Sequence, residues 1–345
     1  MEQKVYIIIL NYKTWKDSID CLESVFALNY SNYQVVLVDN FSENESVREI
    51  HTWAERYIKT ELVFSSDENT TPISNKKNLS FIFLEHGENY KTEWRNKDLI
   101  VIRSKVNNGF AAGNNIGMLY ALQQNDFDFV WLLNNDTIAD QNALSTLVEY
   151  MHTNAKIGIC GSVILTYAHP DILQGVGGYY NKLTTTATEI FNGKHLDNNL
   201  FNNPHKINYP IGAALFVRRD FMKNAGLLNE DYFLFFEEMD WTLRGKKIGW
   251  DCGYAKKSIV WHKGSSTINE NRQEKTKLSD YFGLKSKLLF TRNFYPLLFP
   301  FVYFNLFFVL LNRIRRRQFD RILPLLKIAI QPALSKENIL KMIKK

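Results

Sequence analysis

Phe129-Val130-Trp131-Leu132-Leu133-Asn134-Asn135-Asp136 is an uncharged run of aliphatic, β-branched and aromatic residues that stops abruptly at three polar side chains. A run of this kind reads as a strand buried on both faces of a parallel sheet. Open α/β sheets gather ligands just beyond the carboxyl ends of such strands. Asp136 therefore stands where a hard, oxygen-seeking cation holding a diphosphate is expected. The plainer alternative is a turn at 134–137 that caps the helix following at about 140–153.

The same pattern recurs on the N-terminal side. Val5-Tyr6-Ile7-Ile8-Ile9-Leu10 and Gln34-Val35-Val36-Leu37-Val38-Asp39 are strand-like, and the second again ends in a carboxylate. Between them, Trp15, Ile19, Leu22, Val25 and Phe26 keep the three-to-four spacing of a helix over 14–28 packed on a sheet. Strand, helix, strand makes a right-handed βαβ unit. A second helix is expected at 45–58, with Val47, Ile50, Trp53 and Tyr57 inward. Residues 59–97 read as an inserted excursion with an edge hairpin. Asn69, Thr70, Thr71, Pro72, Ser74 and Asn75 look like loop there, and 79–84 like a short strand. The sheet resumes at 99–102. Asn107-Asn108-Gly109-Phe110-Ala111-Ala112-Gly113-Asn114-Asn115-Ile116-Gly117 then opens a helix. Its glycines let backbone N–H groups approach a phosphate or sugar, and a helix start favours an anion.

After the opening stretch come a strand at 157–165, a polar loop region to about 208, and a small-residue strand at 211–217. Residues 227–236 deliver Glu237-Glu238-Met239-Asp240 at a helix start, and Gly249 stops that helix. The helix dipole explains part of this acidic cluster. It does not explain Tyr232, Phe233, Phe235 and Phe236, which suggest a walled, desolvated pocket able to raise a carboxylate pKa. A last strand at 258–262 ends in His262, a candidate metal ligand.

The chain has 345 residues, 45% of them hydrophobic and 23% charged, which describes a globular protein. Its cysteines, Cys21, Cys160 and Cys252, are odd in number and far apart, which points to a reducing compartment. The N-terminus runs into a strand too short for a signal peptide, so the catalytic face is expected in the cytosol. Residues 312–345 hold ten basic and two acidic residues, a local +8 that leaves −2 for the rest of a chain totalling +6. A basic tail of this kind seeks an anionic partner. No zinc-finger spacing or RNA-recognition motif accompanies it, so no nucleic acid is expected and an anionic membrane surface is the better partner. Just before the arginines Arg313, Arg315, Arg316 and Arg317, residues 294–311 run for 18 positions without a charge, six of them Phe. Pro296, Pro300 and Asn305 argue for an interfacial or shallowly inserted helix over a clean span. A core or homodimer helix is the alternative.

Taken in order, Ile9-Leu10-Asn11-Tyr12, Val38-Asp39-Asn40-Phe41-Ser42, the 108–117 stretch, Leu133-Asn134-Asn135-Asp136, the 235–244 stretch and His262 resemble a family 2 glycosyltransferase. The likeness is greatest to bacterial rhamnosyltransferase-type members and covers about 4–292. It implies an α/β, GT-A nucleotide-diphospho-sugar transferase fold with a mixed, mainly parallel sheet. A catalytic domain at 1–270, with 59–97 as insertion, would carry a helical membrane-associated tail at 271–345. It also implies inverting transfer from a nucleotide-sugar donor to a lipid-linked or other glycan acceptor. By the same resemblance Asn11 and Asp39 contact base and ribose, and Asn108, Gly109 and Asn114 lie under the donor. Asn134 stands beside the diphosphate, where many members have Asp. Asp136 and His262 hold a divalent metal (Mn2+ or Mg2+). Glu238 falls where members carry the general base, commonly Asp, with Asp240 as the reserve, and Arg244 is the nearest cation that could share the metal's work. Deoxythymidine-linked rhamnose is the first donor implied and uridine-linked hexoses the next. The rival readings are a nucleotidyltransferase of related fold, which lacks its basic Gly-rich loop after the first strand, and an inactive membrane-bound scaffold.

Overall fold

The computed structural model describes residues 2–63, 73–202, 205–264, 272–331 and 334–343. The chain opens with β1 (Val5–Asn11), α1 (Trp15–Phe26), β2 (Tyr33–Asp39) and α2 (Ser46–Arg56). A hairpin of β3 (Ile58–Val63) and β4 (Ile73–Asn78) comes next, then β5 (Phe81–Glu85), β6 (Leu99–Arg103) and α3 (Phe110–Gln124). The chain continues through β7 (Phe129–Asn134), β8 (Thr137–Ala139), α4 (Ala143–Thr153), β9 (Ile157–Thr166) and β10 (His169–Gly175). The hairpin β11 (Gly178–Asn181) and β12 (Thr186–Glu189) precedes β13 (Ala214–Arg218), α5 (Arg219–Ala225), α6 (Glu237–Lys247) and β14 (Asp251–His262).

Ten strands form one sheet in the order β5-β6-β2-β1-β7-β13-β9-β14-β8, with β10 against β9. It is parallel from β5 to β7, and β13 runs antiparallel between β7 and β9. The sheet is mixed, as expected. Alternation along β1 sends Val5, Ile7 and Ile9 into one core with α1 and α4, and Tyr6 and Ile8 into the other with α3 and α5. Both faces are dry, which explains why the inner strands read as unbroken apolar runs. The strand register also aligns the polar strand ends. Asn11 lies beside Asp39 and Leu10 beside Asn134, so all three share one edge of the sheet.

Three expectations change. The span to 208 is not simply loop, because β10, β11 and β12 lie in it. β12 (Thr-Ala-Thr-Glu) is exposed throughout, so it carries no apolar alternation to read. Ser74 and Asn75 belong to β4, and the strand expected at 211–217 begins at Ala214. Within the excursion, the hairpin is present and β5 extends the main sheet, while the loop expected at Asn69–Pro72 lies outside the described residues.

The tail comprises α7 (Arg272–Phe294), α8 (Phe299–Arg315), α9 (Ile322–Ile330) and α10 (Lys336–Ile343), and the expected boundary at 270–271 also falls outside the described residues. Tyr281, Phe282 and Leu288 of α7 pack with Val302, Leu306, Leu325, Ile328 and Ile339 in a core of their own. Phe233 stacks on Phe282 at 4.4 Å and joins that core to the sheet domain. α8 turns back along α7: Arg313, in its last turn, donates to Asp280 at 2.6 Å, and Arg321 donates to the same carboxylate at 2.9 Å. Arg321 is 2% exposed, so its charge has to be met inside the fold, and Asp280 meets part of it. The segment Pro296–Arg315 has a mean hydropathy of 1.8 with 11% of it buried, long and apolar enough to cross a membrane.

Asp280→Ala leaves two guanidiniums without their shared carboxylate. Removing one partner of a buried pair costs about 3–5 kcal/mol. Urea denaturation is expected to show that loss, with an early transition confined to the tail.

Candidate functional site

At the shared edge the polar ends are wired together. Asn11 Nδ2 donates to Asp39 Oδ1 at 2.7 Å, and the Ser42 N–H donates to Asp39 Oδ2 at 3.0 Å. Ser18 Oγ, from α1, donates to Asn11 Oδ1 at 2.8 Å. Asn135 Nδ2 in turn donates to Ser18 Oγ at 2.9 Å and to Thr14 Oγ1 at 2.7 Å. Asp39, Asn11 and Ser18 are fully buried, so these bonds also meet the cost of keeping polar groups dry. Lys13 and Phe41 just beyond β1 and β2 have φ of 65° and 62°, uncommon for residues with a Cβ.

The second cluster forms where β14 pairs with β8 and sets His262 opposite Thr137. His262 Nε2 lies 3.1 Å from Asp136 Oδ1. Gln174 fixes the other side of the ring: its Oε1 is 2.8 Å from His262 Nδ1, while its Nε2 donates to the His262 carbonyl at 3.3 Å. With Nδ1–H donating to the amide oxygen, a neutral ring turns the Nε2 lone pair toward a carboxylate oxygen. Two acceptors at this distance call for a cation between them, a proton or a metal. Neighbouring ligands of an octahedral divalent cation lie about 3 Å apart, and metal-binding histidines donate their second N–H to a carbonyl-type oxygen. The pair fits a metal. Among the described residues no group of three or more His, Cys, Asp or Glu converges, so diphosphate oxygens and water would complete the shell.

The loop under the candidate donor pocket is tied to β2 through Asn40, whose Nδ2 donates to the Gly109 carbonyl and to Asn107 Oδ1, both at 3.1 Å. Gly109 has φ +96°, and a Cβ there would sit 2.4 Å from the Phe233 carbonyl oxygen. That carbonyl also accepts the Phe110 N–H at 2.8 Å. The glycine expected to make room for a ligand makes room for the chain itself. Asn114 Nδ2 bonds back to the Phe110 carbonyl at 3.0 Å, and Asn108 Oδ1 accepts from Lys336 of α10. Asn134 is half-buried, and its carbonyl accepts Thr137 Oγ1 at 2.6 Å.

The acidic cluster divides. Asp240 Oδ1 accepts from Arg244 Nε at 2.6 Å and Oδ2 from Tyr232 at 3.2 Å. The rest of the Arg244 guanidinium donates to the carbonyls of Ala225 and Leu227. Both Asp240 oxygens thus have partners, and the Arg244 guanidinium is shared between Asp240 and the two carbonyls. Glu237 and Glu238 each keep a solvent-shielded Oε2 without a hydrogen-bond partner. Burial raises both carboxyls, Glu238 to about 7, with repulsion from Glu238 adding to Glu237 and from Glu189 adding to Glu238. This agrees with the desolvated pocket expected from the aromatics. Phe235 and Phe236, which deliver the helix start, have φ of 68° and 71°. Glu238 lines a cavity of about 460 Å³ between α6, α7 and α8.

Residues 93–279, more than half of the chain, match the model of the family described as glycosyltransferase like family 2. The chain belongs to the family 2 glycosyltransferases. The low-salt glycan biosynthesis hexosyltransferase Agl10 of Haloferax volcanii is 24% identical over 159 residues, 45% of this chain and 49% of the relative. The chain thus matches about half the length of that curated relative. Among solved structures, the mannosyltransferase PcManGT of Pyrobaculum calidifontis, in complex with GDP-Man and Mn2+, superposes with a TM-score of 0.54 and 10% identity, covering 97% of this chain and 88% of its own. GalNAc-T7 with UDP, GalNAc and Mn2+ does so with 0.54 and 15%, covering 82% and 50%. These likenesses establish the GT-A fold.

In this family 2 chain the expected Asp136–His262 and Asn11–Asp39 groupings come together in space. Gln174, Ser18 and Asn40 carried no signal: Gln174 lies in a stretch read as loop, and the other two are polar residues among many. Loss of a group that orients a metal-binding histidine typically weakens metal affinity about 10–100-fold. Manganese titration followed by thermal melting in the presence of a nucleoside diphosphate is therefore expected to give a Kd raised by about that factor for Gln174→Ala. Asp136→Ala and His262→Ala should abolish the metal-dependent rise.

Proposed function

We propose that this chain is a metal-dependent, inverting glycosyltransferase that passes a hexose-type sugar from a nucleotide-diphospho-sugar to a hydroxyl of a lipid-linked saccharide at the cytoplasmic face of a membrane. The observation that carries the reading is the Asp136–His262 pair at the strand ends, with its ring oriented by Gln174. The Haloferax relative is named a glycan-biosynthesis hexosyltransferase, and the two solved neighbours hold UDP or GDP-mannose with Mn2+. Deoxythymidine-linked rhamnose is the first donor to test here and uridine-linked hexoses the next.

In the proposed reaction the nucleoside lies at the strand ends that the buried Asn11–Asp39 pair shapes, and the 108–114 loop supports the donor. The acceptor oxygen attacks the anomeric carbon from the side opposite the diphosphate. A new C–O bond forms as the bond to the diphosphate oxygen breaks, and the electron pair leaves with the nucleoside diphosphate. The acceptor proton passes to Glu238, whose raised pKa suits a base working near neutral pH. A divalent cation bound by Asp136 and His262 would offset the charge gathering on the leaving group. A scaffold without chemistry has no use for two shielded carboxyls.

The tail supports a membrane seat. Phe304 is 62% exposed and Phe307 55%, and Arg315–317 come directly after, an arrangement suited to an anionic surface. Binding to liposomes containing phosphatidylglycerol is expected to weaken markedly in about 0.5 M salt, where charges are screened, and in a Phe304→Ser/Phe307→Ser variant; equal binding to neutral liposomes would remove the electrostatic part of this reading.

The test of function is nucleotide release from a panel of nucleotide sugars with Mn2+ or Mg2+. Asp136→Ala should be silent, and Glu238→Gln should lose transfer by about 100-fold or more while still binding donor. Turnover of every donor by Glu238→Gln at the wild-type rate would exclude it as the base. The same carboxyl has a pH signature. Its folded pKa lies above the unfolded value, so the folded state holds the extra proton and stability falls as pH rises from about 4.5 to about 7. Glu238→Gln should therefore melt like the wild type near pH 4.5 and above it at about pH 8, by on the order of 2 kcal/mol.

A further inference from the structure

Asp136 lies in the turn between β7 and β8, His262 ends β14, and a single helix, α1, supports both. The turn rests on a stripe of small polar side chains that begins just before the helix. Thr14 and Ser18 accept from the Asn135 amide. Cys21 Sγ lies 3.6 Å from the Asn134 carbonyl oxygen and 3.7 Å from Thr137 Oγ1, and Ser24 Oγ accepts the Ala139 N–H at 3.1 Å. These four positions recur every three or four residues, so they share one face of α1. The residues on either side of Asp136 are thus fastened to that face.

Asp17 and Asp20 of the same helix fasten the other ligand. Lys263, the residue after His262, places its Nζ 2.8 Å from Asp17 Oδ1 and 2.5 Å from Asp20 Oδ2. The side chains of Lys263 and Asp17 are each only 16% exposed. Carboxylates three residues apart on a helix repel each other, and the shared ammonium makes them compatible. The Lys263 backbone is tied to the metal ligand itself, its N–H donating to the Asp136 carbonyl at 2.8 Å. The His262 carbonyl, one peptide earlier, accepts the Tyr167 N–H at 3.1 Å. Gln174 sets how the imidazole is turned, whereas Lys263 sets where the end of β14 lies against α1 and the Asp136 turn. The 3.1 Å gap between Asp136 Oδ1 and His262 Nε2 depends on both.

We propose that Lys263 is a positioning residue for the divalent cation: gripped by Asp17 and Asp20, it locks the end of β14 to α1 and holds His262 at ligating distance from Asp136. The assignment rests on the metal-dependent reading above and adds to it a charged residue that acts by fixing the backbone. A role through charge alone has the opposite sign. An ammonium near a divalent cation repels it, so a lysine acting only by its charge would weaken metal binding, and removing it would tighten that binding.

The test titrates Mn2+ into the full-length protein with excess UDP, and in a parallel series with excess dTDP, and takes the Kd from the rise in melting temperature. Lys263→Met and Asp17→Asn/Asp20→Asn should each raise the Kd about tenfold or more, as loss of a group that orients metal ligands does. Lys263→Arg, which keeps both ion pairs, should stay within about threefold of the wild type. Should Lys263→Met fail to fold, Lys263→Gln takes its place. An unchanged or lower Kd in the neutral variant of Lys263 would overturn the proposal. A melting temperature lowered before any Mn2+ is added, with the Kd unmoved, would overturn it too, because the clamp would then serve stability alone. A wild type with no Mn2+-dependent rise in either series overturns the metal reading beneath it.

Discussion

Asp39 ends a strand that is otherwise almost wholly apolar, with its carboxylate shut off from solvent, and the rest of the candidate donor site depends on how that charge is satisfied. The amide of Asn11 takes one oxygen and the Ser42 N–H the other. The chain of bonds continues through Ser18 to Asn135, so β1, β2, α1 and the turn after β7 are held by one line of buried hydrogen bonds. A buried polar line of this kind tolerates little slippage, because one strand moving by a residue would leave several groups dry and unpaired. Asp136 comes immediately after Asn135. The position of the candidate metal ligand is thus fixed from the β1–β2 side by Asn135 and from the far side by β14, which brings His262 against it.

Local strain collects around the same pocket. Of the eight non-glycine residues with positive φ among those described, Lys13, Phe41, Thr185, Phe235 and Phe236 lie at the strand ends or in the cavity wall. Consecutive aromatic residues in the left-handed region are unfavourable and persist only where surrounding packing over-determines them. Here Phe236 packs on Phe290 and Tyr180, and the Phe233 carbonyl accepts the Phe110 N–H. The effect is to start α6 abruptly, with Glu238 at the cavity and Glu237 buried beside it. Their carboxyls are raised by that burial, so the fold gives up stability above neutral pH to keep them there.

How much of this was legible depends on which patterns have a period. The inner strands, the helices on the sheet and the carboxylates at strand ends could be read because burial on both faces leaves an unbroken apolar run and a sharp polar stop. His262 could be placed because it closes such a run. β10, β11 and β12 could not, because β11 and β12 have four residues each, β12 is exposed throughout and β10 pairs irregularly, so none gives a run long enough to show a period, and Gln174 was lost with them. Gly109 was legible as a position needing glycine, but the cause, the Phe233 backbone, comes from a distant part of the chain. The partners of Asp240 and Arg244 were hidden for a similar reason: their spacing of one helical turn permits an ion pair, and only the fold shows that Tyr232 and two carbonyls join it.

The proposed membrane seat of the tail depends on geometry more than on hydropathy. A helix of 17 residues is about 25 Å long, short of a hydrocarbon core of about 30 Å, though the segment from Pro296 adds to it. Were α8 to cross a bilayer, its two ends would lie on opposite sides. Yet its first end continues directly from α7, and its last turn is bound through Arg313 to Asp280 in the first half of α7. The helix α7 would then have to cross as well, carrying Lys277, Asp280, Lys285, Lys287 and Arg292 through hydrocarbon. Charged residues in that number are not tolerated there. Arg321 and the α9–α10 pair, packed back on α7, add further polar groups to the same side. These contacts favour a helix lying along the surface, outer aromatics down, with the cavity that Glu238 lines on its inner side. In that posture a lipid-borne acceptor would reach Glu238 without leaving the bilayer, and the arginines at the end of α8 would hold the enzyme at the depth where the two substrates meet.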